Sequence, residues 1–182
     1  MKENFISKIN HFWFEEISPK QRFQKDASFD ALLADKFGNL VKDALGARLD
    51  SWASSKEGSL ALILLLDQMT RNIYRDTPLA FAGDEMAVAH SLNAVQKGFL
   101  DESHSPQNQF MLMPLMHSED LTIHQKAQPL FATYTSEMVV DYLDKHRVII
   151  ERFGRYPHRN AILGRPSTEE EIAFLETPNS SF

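Results

Sequence analysis

Leu60-Ala61-Leu62-Ile63-Leu64-Leu65-Leu66 is a run of seven apolar residues with no polar interruption, and it constrains the fold more than any other feature. The run continues into Asp67-Gln68-Met69-Thr70-Arg71-Asn72-Ile73-Tyr74, which has helical rather than alternating spacing. A helix that is apolar on every side has no face to give to water, so it belongs at the centre of a core. At seven residues it is far short of the ~20 needed to span a bilayer as a helix.

The rest of the chain wraps that centre with more helices. Phe29, Leu32, Leu33, Phe37, Leu40, Val41, Ala44 and Leu45 recur at steps of three and four, a stripe that Gly46 is placed to close. No comparable stretch alternates at period two. A first helix is expected from Phe5 to Ile17, ending before Ser18-Pro19. Gly58-Ser59 should open the apolar helix. Asp84 reads as the N-cap of the next helix, which Gly98 ends. Ser105-Pro106 reads as N-cap and first position of another. Glu119 to Phe153 is too long for one uninterrupted helix, and Pro129 should kink or split it. Ser167 and Glu170 have capping-box spacing before a short last helix.

With 182 residues, 43% of them apolar, the chain buries enough surface for a core without staples. There is no low-complexity linker and no repeat at the ~34-residue tetratricopeptide period. The expected architecture is all-α, with about eight antiparallel-packed helices in a single helical domain over residues 1–182 and no significant sheet.

Absent cysteine excludes disulfides, thiolate chemistry and cysteine-ligated metal centres. The start, Met1-Lys2-Glu3-Asn4-Phe5, lacks the pattern of a signal peptide, so a cytoplasmic location is expected and no membrane partner. A net charge of −6 disfavours nucleic acid. That average hides an asymmetry. From Lys145 to Arg165 there are six Lys/Arg and one acid, Glu151, so an acidic body carries one basic segment.

Several segments together resemble a known bacterial family: Phe12-Trp13-Phe14, Asp50-Ser51-Trp52-Ala53, Leu60 through Arg75, Ala80-Phe81-Ala82-Gly83-Asp84 and Met113 through Asp120. The most specific block is Arg152-Phe153-Gly154-Arg155-Tyr156-Pro157-His158-Arg159-Asn160, followed by Leu163-Gly164-Arg165 and Ser167-Thr168. The family is the bacterial domain of unknown function numbered 924. The resemblance implies a tetratricopeptide-like helical fold and no activity. One departure is Arg22-Phe23, where the family pattern carries Trp-Phe.

Three polar groups could carry chemistry. In the basic segment, Arg152, Arg155, His158, Arg159 and Arg165 surround Gly154, Pro157 and Gly164, and arginines on such a rigid loop suit bidentate contacts with phosphate or carboxylate. The competing reading is that they pair with the acidic body and tie the loop down. Asp67, Arg71 and Arg75 end the apolar helix at i,i+4 spacings, either as a cleft rim or as a buried ion pair. His117 with Glu119 and Asp120 offers the parts of an acid–base site, or simply a helix start at Ser118. A metal is not expected: His117 and His124 would lie ~10.5 Å apart along one helix.

Aromatics other than Tyr156 are read as core. The function expected first is a helical binding domain whose cationic cleft holds a small anionic ligand or an acidic peptide segment. The ligand contacts would be Arg71, Arg75, Arg155, Tyr156, His158 and Arg159. The alternative is a metal-independent enzyme acting on a phosphorylated or carboxylated metabolite. Its catalytic candidates are His117, Glu119 and His158, with His117 or His158 as the acid–base and no cofactor.

Overall fold

Every regular element in the computed structural model, which describes residues 4–178 and 180, is helical. The outermost positions of the expected 1–182 domain lie outside the described residues.

α1 (Phe5–His11) runs on into a π-helical turn, Phe12–Glu16, and stops before Ser18-Pro19 as expected. α2 (Pro19–Phe23) starts with a full capping box between Ser18 and Gln21. Arg22, the departure from the family pattern, closes off the π turn. Its Nε donates to the Trp13 carbonyl at 2.9 Å, satisfying an acceptor that the helix end leaves open. α3 (Ala27–Leu45) buries Phe29, Leu33, Phe37, Val41 and Ala44, which is the stripe read from sequence. Gly46 follows it, but the left-handed residue is Ala47, at φ 56°.

The apolar run forms the centre. α4 (Lys56–Ile63), a π-helical turn (Leu64–Met69) and α5 (Thr70–Ile73) make one continuous rod, and Ala61 through Leu66 have no exposed surface. The start differs from the sequence reading. Ser55 is the N-cap, its side chain accepting from Gly58 N, and Gly58 lies inside the first turn. Glycine is required there because a Cβ would sit 2.0 Å from the Trp52 carbonyl oxygen.

α6 (Asp84–Gln96), α7 (Pro106–His117), α8 (Leu121–Tyr134) and α9 (Glu137–Phe153) follow as neighbours packed in sequence order. α10 (Glu169–Leu175) closes the chain against the Pro157–Arg159 turn. Gly98 and Gly154 end α6 and α9 in left-handed conformations. Two expected boundaries move. Pro129 stays inside α8, and the break falls at Thr135, whose extended backbone and hydroxyl bond to the Phe131 carbonyl at 2.7 Å end the helix. The last capping box uses Thr168 and Glu171 rather than Ser167 and Glu170. Among the described residues no helix is long and apolar enough to cross a membrane.

Candidate functional site

The π turn at Leu64–Met69 widens the central helix where the apolar run gives way to Asp67. π turns of this kind recur at functional sites because they push one residue out of helical register. Asp67 is fully buried. Its Oδ1 receives His117 Nδ1 at 2.7 Å and lies 3.1 Å from Arg71 NH1, while Gln68 Nε2 stands 2.5 Å from Oδ2. Burial works to raise the Asp67 pKa. The charges of Arg71 and then His117, with hydrogen bonds from His117 and Gln68, overcome it and hold the carboxyl well below the usual range. The expected Asp67–Arg71 pair is therefore present, and His117 joins it from α7.

Arg71 also reaches the first turn of α6, where its NH2 lies 3.0 Å from Asp84 Oδ1. Asp84 is not the N-cap. Gly83 takes that position, and Asp84 is the first helical residue. Gly83 packs so tightly on the π turn that a Cβ would lie 2.2 Å from the Leu66 carbonyl oxygen. That close approach frees the Asp84 side chain for two arginines at once, because Arg159 NH1 donates to its Oδ2 at 2.8 Å.

Arg159 is the most deeply held cation of the basic segment. It is only 6% exposed, and its guanidinium carbon lies 4.5 Å from the Phe81 ring centre and 4.7 Å from that of Tyr156. NH2 donates to the His117 carbonyl at 3.0 Å, and Nε has no acceptor. Burial and then the nearby Arg71 lower its pKa, with Asp84 and Glu119 opposing.

Over this network opens a cleft of about 670 Å³, whose walls include Phe81, Val88, His117, Ile123, Arg159 and Leu163, with Asp84, Glu85, Glu119 and Asp120 contributing carboxylates. Glu119 is neutralised by a bidentate pair with Arg165 at 2.6 and 2.9 Å, and it also accepts from Tyr156 N at 2.7 Å. A second concavity, of about 750 Å³, lies around Asn10, Lys56 and Asp101, away from this network. There Lys56 pairs with Asp101 at 2.7 Å, and both side chains are open to solvent.

The six expected ligand contacts part company. Arg71 and Arg159 meet at Asp84. Arg75 turns to Asp30 on α3, at 2.6 Å. Arg155 binds Glu171 at 2.7 Å and ties α10 down, as Arg152 does through Glu170. Tyr156 is core: it is 1% exposed, and its hydroxyl donates to the Met116 carbonyl at 2.5 Å. His158 packs on the Tyr156 ring, its Nδ1 buried without a partner. Burial and then Arg159 push its pKa down to about 4, so it is neutral at pH 7 and is not one of the cleft walls.

Of the catalytic candidates, His117 and Glu119 reach the cleft. Glu119 is not part of a helix start, since Asp120 caps α8 through Thr122 N. Sequence reasoning missed Asp84, whose position before an apolar stretch looks like a cap, and Gly83, whose only signal was its place before that acid. Among the described residues no group of three or more His, Asp or Glu is arranged to hold a metal ion.

A protein of known structure shares this arrangement of helices. The family model of a bacterial protein of unknown function, DUF924, matches residues 9–179. The chain belongs to that family. A solved structure of a protein of unknown function, ATU0120 from Agrobacterium tumefaciens, is similar at 38% identity, covering 94% of this chain and 97% of that one, with a TM-score of 0.87. No curated protein matches. This family member thus shares its helical fold with a solved relative, and the site must speak for function.

Proposed function

We propose that this protein is a cytoplasmic helical binding domain, with tetratricopeptide-like packing of its helix hairpins, whose Arg159 cleft holds a small anionic ligand. The observation that carries this is Arg159 itself. A buried guanidinium clamped between Phe81 and Tyr156, with one N–H lacking an acceptor, is a fixed positive group beside an opening. The cleft is less cationic than the sequence led us to expect, so the ligand is a small anion rather than an acidic peptide segment needing several cations. The net charge of −6 argues against a nucleic-acid partner, and no helix among the described residues is long and apolar enough to cross a membrane.

The test is a thermal-shift screen of phosphorylated and carboxylated metabolites on wild type and Arg159→Gln. A true ligand raises the melting temperature of wild type by mass action, and the variant loses that response. If no anion shifts wild type, the reading falls.

A second reading, a metal-independent enzyme, is favoured by the Asp67–His117 pair. A buried carboxylate on Nδ1 fixes the ring and its tautomer, leaving Nε2 to exchange a proton with a bound molecule. Arg159 would then offset negative charge that builds up during reaction. His117 is the acid–base in this reading, since His158 is neutral and packed on Tyr156. His117→Gln should abolish turnover of any substrate found while leaving its affinity within about threefold, the signature of a group used only in the reaction step. Unchanged turnover would end this reading and leave the binding one.

A further inference from the structure

Resting on the anion-site reading, we propose that the cleft takes an apolar molecule bearing a single carboxylate, and rejects phosphorylated or multiply charged ones. Three observations point the same way. First, the supply of positive charge is one group deep. Among the described residues Arg159 is the only arginine or lysine in the cleft walls. Its NH1 and NH2 each give one hydrogen bond, to Asp84 and to the His117 carbonyl, and Nε is buried without an acceptor, so a head group meets only the N–H bonds of NH1 and NH2 that remain. A head group with one negative charge fits that supply, whereas a phosphate monoester brings ~1.5–2 charges.

Second, the carboxylates of the same cleft are not all compensated. Asp84 lies between Arg71 and Arg159, of which Arg71 also serves Asp67, and Glu119 pairs with Arg165. Glu85 and Asp120 form no ion pair among the described residues, so each negative charge on a ligand meets repulsion on entering, and a doubly charged head group meets twice that of a carboxylate. Third, apart from His117 and Ser118 the remaining wall is apolar, with Pro78, Phe81, Val88, Ile123 and Leu163 its larger members. That surface rewards a hydrocarbon body and gives nothing to a sugar or a second phosphate.

The experiment measures affinity by calorimetry for acetate, butyrate and hexanoate, with hexyl phosphate, inorganic triphosphate and hexanol as contrasts. Affinity should climb about fourfold for each buried methylene from acetate to hexanoate. Hexyl phosphate and triphosphate should bind at least tenfold more weakly than hexanoate, and so should hexanol, which lacks the charge. The double variant Glu85→Gln, Asp120→Asn changes two groups outside any ion pair. It should raise the affinity for hexyl phosphate by a larger factor than that for hexanoate, because the repulsion removed scales with the charge of the ligand.

Hexyl phosphate or triphosphate binding as tightly as hexanoate overturns the single-carboxylate proposal while leaving the anion site standing. If no anion of either kind binds, both fall together. Arg159→Gln should weaken hexanoate at least tenfold. Should that variant fail to fold, wild-type methyl resonances decide: hexanoate must shift Val88, Ile123 and Leu163, and shifts confined to other methyls overturn the proposal.

Discussion

Asp67 keeps its charge without any contact with water because Arg71 and His117 stand against it. A buried ion is tolerable only while its partners remain, and breaking such a pair by removing one side costs ~3–5 kcal/mol. Asp67→Ala strands Arg71 and should lower the unfolding free energy by that amount in urea titration. A loss under 1 kcal/mol would mean that Arg71 finds full compensation from Asp84 alone. The histidines behave in the opposite sense. Burial, then the nearby His117, pushes the His146 pKa down to about 3, and burial, then Arg159, takes His158 to about 4. His124 and Glu119 also face this group of rings. Both histidines fold neutral but gain protons when unfolded below their ordinary value of 6.5. Stability is therefore whole above pH 6.5 and declines as the pH falls toward 4, by roughly a few kcal/mol through the linkage of protonation to unfolding. Denaturation curves across that window check the sign, and His146→Gln should flatten the slope. A slope that is unchanged in the variant would exclude His146 as its source.

At the scale of elements, glycine positions separate close packing from mere presence in a helix. Gly83 lies against the π turn, and the added methyl in Gly83→Ala meets the Leu66 backbone at 2.2 Å. Backbone cannot swing aside as a side chain can, so α6 must shift, and overpacking of this kind costs ~1–3 kcal/mol. The same shift carries Asp84 away from Arg71 and Arg159, so ligand response should fall with stability. Gly38 is the counterpart in the middle of α3, with nothing within 4 Å of where a Cβ would lie. Gly38→Ala should stabilise by ~0.5–1 kcal/mol, because alanine has less backbone freedom to lose in a helix. Thermal melts of the two variants should move in opposite directions. Parallel movement would show that the close approach at Gly83 is not rigid.

Across the whole molecule, the central rod of α4, the π turn and α5 meets α3 on one side and α6 and α7 on another. Leu64 has no exposed surface, and Leu64→Ala should cost ~2–5 kcal/mol with a cavity left behind. A loss below 1 kcal/mol would mean that neighbours collapse into the space. The basic segment shows how charge is shared at this scale. Arg152, Arg155 and Arg165 secure the C-terminal loop through Glu170, Glu171 and Glu119, while Arg159 turns to the cleft.

Local pattern carried the helices: apolar spacing in α3, the unbroken Leu60–Leu66 run, and the glycines after α6 and α9 act on neighbours within four residues. Boundaries were less legible. Thr135 rather than Pro129 breaks the α8–α9 stretch, because an extended threonine that bonds back to Phe131 ends a helix, whereas α8 absorbs a proline. The asymmetry of charge and the Asp67–Arg71 pair were visible too, since both are properties of short segments. What tertiary structure alone decided is which distant groups meet. Asp67 joins His117 across 50 residues and Asp84 joins Arg159 across 75. No spacing rule links such positions; their meeting follows from how α5, α6, α7 and the Pro157–Arg159 turn pack at one end of the central rod.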